Sequence, residues 1–208
     1  MIFLVLQRNK RSFVPYMKGT MMYGGGKEVV VSIRYPLGSF EPLVEPTLED
    51  RQKFMQQIPS IVPTLRQIIM KCPLSQLHMP YREGGWSIQQ IVHHLADNDM
   101  NAYLRFKRAL TEDEPLASSY REDLWAELSD YTEVPVENSL SLLETLHFRF
   151  LILLKDLHPE DFKRTMRTQV LGSITLDIAL QRFVWHNQHH IAQIRSIANR
   201  EAVKLHKE

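Results

Sequence analysis

Five of the nine histidines fall into two clusters, His93-His94 and His186 with His189-His190. Imidazole is the side chain best suited to bind a transition metal at neutral pH. A helix turns by about 100° per residue, so His186 and His190 stack on one face, one turn apart. Such a pair presents two ligands to one ion from a single rigid element. A helical wheel sets the pair at the margin of the stripe Leu176, Ala179, Phe183, Ile194 and Ile197, with His189 farther toward the polar side. His93 and His94 are neighbours and must diverge. His94 lies with Ile91, Leu95 and Ala102 on the core side, whereas His93 lies on the far side with Met100 and Leu104. His94, His186 and His190 are therefore the candidate metal ligands. Three neutral imidazoles leave a fourth position for water, as in catalytic zinc sites. The same spacing also suits hydrogen-bonded histidines at the edge of a core, so spacing leaves both roles open. His147, on the third helix beside Leu146 and Phe150, is a fourth candidate, for which a hydrogen-bonded bundle histidine is favoured over a ligand.

Long helices must carry these groups, and the sequence marks four. Thr47, with Asp50 three residues on, opens a helix bearing Phe54, Ile58, Ile61, Leu65, Ile68 and Ile69, in which Pro59 and Pro63 predict a kink or break. Gly84-Gly85-Trp86 ends a loop, and Ser87 with Gln90 forms a second capping box for a helix from Ile88 to about Leu110. A short amphipathic piece, Arg121 to Tyr131, follows. Asn138 is the expected cap of the third long helix, with Leu140, Leu143, Leu146, Phe150, Leu153 and Leu154. A strand pair is expected around Met166 to Ile174, and Thr175 caps a fourth helix through about Asn199. Four amphipathic helices predict an all-α four-helix bundle with a short extra helix and irregular loops.

The bulk numbers narrow the function. The 208 residues suit one domain with a real core, and 25 Lys and Arg against 24 Asp and Glu leave a net charge of +1. Neither nucleic acid nor an anionic membrane surface is an expected partner at that balance. One cysteine, Cys72, excludes an internal disulfide, fits a reducing cytoplasm, and reads as filler at a helix end before Pro73. The apolar run Met1 to Leu6 is cut by Gln7 and Arg8, too short for a signal-peptide core or a membrane span. Residues 1–32 contain Gly24-Gly25-Gly26 and sustain no helical period. They read as an N-terminal extension, either a flexible arm or a mis-assigned start, ahead of a helical domain over residues 33–208.

The stretch Pro80-Tyr81-Arg82-Glu83-Gly84-Gly85-Trp86-Ser87, continuing to His93-His94-Leu95-Ala96-Asp97, resembles the DinB-like superfamily and most closely its YfiT branch. Tyr35-Pro36-Leu37-Gly38, Asn101 to Lys107, Val184-Trp185-His186 and His189-His190-Ile191-Ala192 extend the resemblance over about residues 33 to 200. It implies a four-helix bundle with one zinc or nickel ion per subunit held by three histidines. The family pattern places them at the His before Leu-Ala, here His94, and at the first and last His of W-H-x-x-x-H, here His186 and His190. It also implies a cytoplasmic homodimer acting as a metal-dependent hydrolase on a small-molecule substrate. Some relatives instead transfer low-molecular-weight thiols of the bacillithiol type, and a non-enzymatic metal-binding bundle is the third reading. Asn187-Gln188 and Asn98-Asp99 depart from the family pattern without removing a ligand.

Water on a three-histidine ion loses a proton near neutral pH, and hydrolysis then needs a group to move the remaining proton. Asp97, Asn98 and Gln193 lie within a turn of the ligands, where orienting a ligand is a commoner role than catalysis. No catalytic residue is assigned from sequence.

Overall fold

Thr47 and Asp50 bond each other's backbone N–H, as their spacing predicts, and open helix α1, Leu48–Ile69. The structure, a computed structural model, describes residues 34–169 and 171–205, so the extension expected over residues 1–32 lies outside the described residues. Pro59 and Pro63 do not break α1. Both are exposed, so the rings and the gaps they leave in the hydrogen-bond ladder lie toward the outer side of the helix.

After a single turn, α2 (Leu74–Leu77), a tight loop leads to the reciprocal Ser87–Gln90 box and α3, Ile88–Thr111. The amphipathic piece expected over Arg121 to Tyr131 is two single turns, α4 (Glu122–Trp125) and α5 (Asp130–Glu133). Helix α6, Val136–Lys155, starts earlier than expected: Pro135 is its cap residue, and Asn138 already lies inside it, donating its backbone N–H to the Pro135 carbonyl. Pro135 holds Val134 extended, which ends α5 and fixes where α6 can begin. The short strands β1 (Thr165–Thr168) and β2 (Gly172–Thr175) pair antiparallel, Met166 facing Ile174, inside the predicted window. Helix α7, Leu176–Leu205, begins where the Thr175 hydroxyl caps Ile178 and runs past the expected end near Asn199.

The long helices pack in the ring α1–α6–α3–α7, so α1 and α3, the first and second long helices in the chain, face each other across the core. Ile58, Ile61 and Leu65, Ile91 and Leu95, Leu143 and Phe150, and Leu180 and Ile194 fill that core, all fully buried. Each such side chain contributes about 1.5–3 kcal/mol relative to exposure. The starts of α1 and α7 are joined by a buried two-point pair, Arg51 Nε and Nη2 on Asp177 Oδ1 and Oδ2 at 2.7 and 2.9 Å. Arg51 also lies over the Phe162 ring.

Two irregular segments close the bundle around α3 and α7. The lead-in before α1 runs along α7: the Gln181 amide exchanges two hydrogen bonds with the Leu43 backbone, and Phe40 packs on Trp185. On the other side, residues 115–117 bond β1 through Ala117 N–H to Arg167 O and Arg167 N–H to Pro115 O. No helix among the described residues is long and apolar enough to cross a membrane.

Candidate metal centre

α3 and α7 are neighbours in the ring, and that adjacency brings His94 against His186 and His190. The three offer nitrogens within 4.8 Å of one another, and among the described residues no other group of His, Cys, Asp and Glu does so. His94 Nε2 and His186 Nε2 stand 3.3 Å apart, and the three ring centroids are separated by 4.6 to 5.2 Å. Trp86 covers the cluster, tilted on His94 at 4.6 Å and stacked beside His190 at 6.3 Å.

The loop before α3 aims that indole. Tyr81 N–H bonds the Trp86 carbonyl and Gly85 N–H the Arg82 carbonyl, while Gly84 takes a positive φ of 62°. Gly85 lies so close to the buried Tyr81 ring that a Cβ there would come within 2.7 Å of it. The glycines therefore set the position of Trp86.

Hydrogen-bond logic fixes the tautomers. Gln193 Nε2 donates to the Arg34 carbonyl and to His189 Nε2, so its Oε1 must be the acceptor for His190 Nδ1–H at 2.8 Å. His190 Nε2 is left with a free lone pair, the ligand form. Asn98 Nδ2 donates to Asp99 Oδ1 and to His186 Nδ1, at 3.1 and 3.2 Å. His186 therefore carries its proton on Nε2 and donates it toward His94 Nε2, so His94 Nδ1 bears a buried hydrogen without an acceptor. His94 and His190 already present lone pairs at Nε2. His186 presents one after its Nε2 proton leaves.

Burial keeps all three rings neutral. It pushes the His94 pKa down to about 4. It holds His190 well below the usual histidine range, with His94 and His189 adding to the effect, and His186 likewise, with His190 and His94 adding. A buried group of neutral nitrogen donors under an aromatic cover fits a borderline-soft divalent ion such as zinc or nickel.

The remaining histidines depart from the helical wheel. His93 is buried instead of lying on an outer face: Nδ1 meets Ser139 Oγ at 2.7 Å and Nε2 the Val134 carbonyl at 3.1 Å. The wheel assumes one apolar stripe, but α5 and α6 also cover this end of α3, and Ile91 through Ala96 are all buried. His189 is buried too, stacked on Trp185 and against Tyr35, because the lead-in covers the face of α7 that would otherwise be polar. His147 donates to Asp99 Oδ2 at 2.7 Å, away from the cluster. Asp99 is fully buried and also accepts from Asn98 and Asn187. Asp97 faces elsewhere and accepts from Tyr131 Oη at 2.6 Å; burial raises its pKa. Cys72 is half-buried, its thiol on the Ile68 carbonyl.

A cavity of about 380 Å³ opens onto the cluster. It is lined by the three histidines, Asn98 and Trp86, by the apolar side chains of Phe106, Met166, Ile174 and Phe183, and by Arg105, Tyr120, Glu122 and Arg182. Tyr120 is held in its neutral form by burial, with nearby Glu122 and Asp97 acting in the same direction. Trp86 and Arg182 were not singled out as site residues from sequence. Arg182 stands four residues before His186 on one helical face, a spacing that would have found it.

The family model described as the DinB superfamily matches residues 63–194. Over 171 residues the chain is 40% identical to the "Putative metal-dependent hydrolase YfiT" of Bacillus subtilis, covering 82% of this chain and 96% of that protein. A relative from Oceanobacillus iheyensis with the same "Putative metal-dependent hydrolase" name is 40% identical over 168 residues, 81% of this chain and 97% of its own. A solved structure, described as "YfiT from Bacillus subtilis is a probable metal-dependent hydrolase with an unusual four-helix bundle topology", matches with a TM-score of 0.79 at 40% identity. That match covers 82% of this chain and 98% of the other.

Proposed function

This chain belongs to the DinB superfamily, in its YfiT group, and from that membership and the histidine cluster we propose that it is a metal-dependent hydrolase of a small-molecule substrate. His94, His186 and His190 hold one divalent ion, zinc or nickel, per chain. The observation that carries the reading is the convergence of three neutral imidazoles, from two helices, at the floor of a cavity large enough for a metabolite. The names given to the relatives point the same way.

Bound there, a divalent ion supplies Lewis acidity, polarising a substrate oxygen and acidifying water. The chain's own residues do the rest. Gln193 keeps the proton of His190 on Nδ1, and the Arg34 carbonyl keeps Gln193 from turning over. Trp86 shields one side of the cluster from solvent and strengthens electrostatic interactions inside it. Asn98, fixed by Asp99, bonds His186 Nδ1 and must yield that contact when the proton of His186 moves to Nδ1. The bundle is taken to act as a homodimer in the cytoplasm.

Elemental analysis of the purified protein tests the site: about one zinc or nickel per chain is expected, and H186A/H190A should remove it. Full metal retention in that variant would place the ion elsewhere. Ester, amide and thiol-conjugation panels test the reaction. Hydrolysis that stops on chelation and returns with metal supports the reading. Turnover only with an added thiol would make the protein a transferase, and activity that survives chelation would remove the ion from the mechanism.

A further inference from the structure

Two guanidinium groups line the cavity beside the histidine cluster. Arg105 lies eleven residues beyond His94 on α3, about 16 Å along the helix, and Arg182 lies one turn before His186 on α7. Neither makes an ion pair among the described residues; Glu122, the other charged residue lining the cavity, lies beyond ion-pair distance of both. Arg105 is half-buried and spends Nε and Nη2 on one neutral acceptor, the Ser118 carbonyl. Its remaining donors are uncommitted. Burial first, with repulsion from Arg182 contributing, holds the Arg105 pKa below its ordinary value. Two cations that repel each other in one cavity are stabilised by an anion that both can reach. The cavity also has an apolar lining, through Phe106, Ala179 and Phe183.

We propose that the cavity takes a small organic anion, its carboxylate or phosphate end held by Arg105 and Arg182, its apolar body along Phe106 and Phe183, and its reactive end at the three histidines. The position of the reactive end rests on the hydrolase reading above; the anion subsite stands on the arginines alone. Guanidinium is suited to either anion, since its donors match both planar carboxylate and phosphate oxygens. A neutral substrate of the same shape leaves the two cations unrelieved and binds more weakly.

Calorimetry on the zinc-loaded full chain provides the test, with glutarate and pentyl phosphate as charged probes and dimethyl glutarate as the neutral one. At least one charged probe is expected to bind about ten-fold or more tighter than the neutral ester, and the tighter of the two identifies the end group. In R105Q/R182Q that advantage should vanish while zinc content is unchanged. R182E, which alters an exposed side chain and leaves the Arg105–Ser118 contact in place, should lose most of it as well. Equal binding of charged and neutral probes by the unmodified protein would overturn the proposal. So would an advantage kept in R105Q/R182Q and lost in H186A/H190A, because the ion would then be the anion receptor. An arginine-dependent advantage without hydrolysis of mono-4-nitrophenyl glutarate would uphold the anion subsite while counting against the hydrolase reading.

Discussion

The two adjacent histidines on α3 have different surroundings, and substitution should separate them. His93→Ala removes partners from the Val134 carbonyl and the Ser139 hydroxyl, so it should destabilise the chain by about 1–3 kcal/mol with metal content intact. His94→Ala should abolish metal binding with little loss of stability in the metal-free protein. Denaturant titration paired with elemental analysis reads both, and equal metal loss in the two variants would make His93 a ligand as well. The clustered rings also give the metal-free protein a pH signature. His94, His186 and His190 titrate below the ordinary 6.5 when folded, His94 near 4. The unfolded chain therefore binds more protons in the window below 6.5, and stability falls as pH drops through it. Chelated protein should show its full urea midpoint above pH 6.5 and a declining one toward pH 4; a flat profile would contradict buried neutral rings.

Among the elements, α1 and α3 start from local signals that act independently of the bundle. Thr47→Ala and Ser87→Ala should each cost about 1 kcal/mol, additively, because each leaves amide donors unsatisfied at a different helix start. Gly85→Ala should cost more than either, since its Cβ meets the buried Tyr81 ring; displacement of Trp86 would appear as a change in its fluorescence. The pairing of α1 with α7 depends on Arg51–Asp177. Asp177→Ala strands a buried guanidinium and should cost about 3–5 kcal/mol, whereas the paired change R51M/D177L should cost far less. If both variants were equally unstable, packing around the pair and not its charge would be the determinant.

At the scale of the whole molecule, the core is continuous through all four long helices without the histidine cluster, so the bundle should hold together metal-free. An ion adds stability by mass action, as any ligand of the folded state does. Chelation should leave far-ultraviolet circular dichroism nearly unchanged, lower the Tm, and abolish activity. Loss of helicity on chelation would make the ion structural. The covering segments matter at this scale as well. Residues 34–43 complete the site from outside the bundle by holding Gln193 and stacking on His189, and the β1–β2 hairpin walls the cavity opposite.

The sequence by itself determined what depends on a few neighbouring residues: the two capping boxes, the strand pair, the four apolar stripes, and the face shared by His186 and His190. Those features are set by the 3.6-residue period and by side chains reaching their own backbone, which any single helix obeys. The motifs around Trp86 and His94 also carried the family resemblance. Tertiary structure decided whatever depended on which surfaces a helix covers. His93 and His189 became buried because α3 is enclosed on more than one face and α7 is roofed by the lead-in, neither of which a one-stripe wheel contains. Pro59 and Pro63 are accommodated because both face water. The start of α6 passed from Asn138 to Pro135 because the preceding extended residue had to clear α5. The meeting of His94 with His186 and His190, and the presence of Arg105 and Arg182 in one cavity, depend on α3 and α7 being ring neighbours. That adjacency is a choice among bundle topologies, and helical periodicity is the same in all of them.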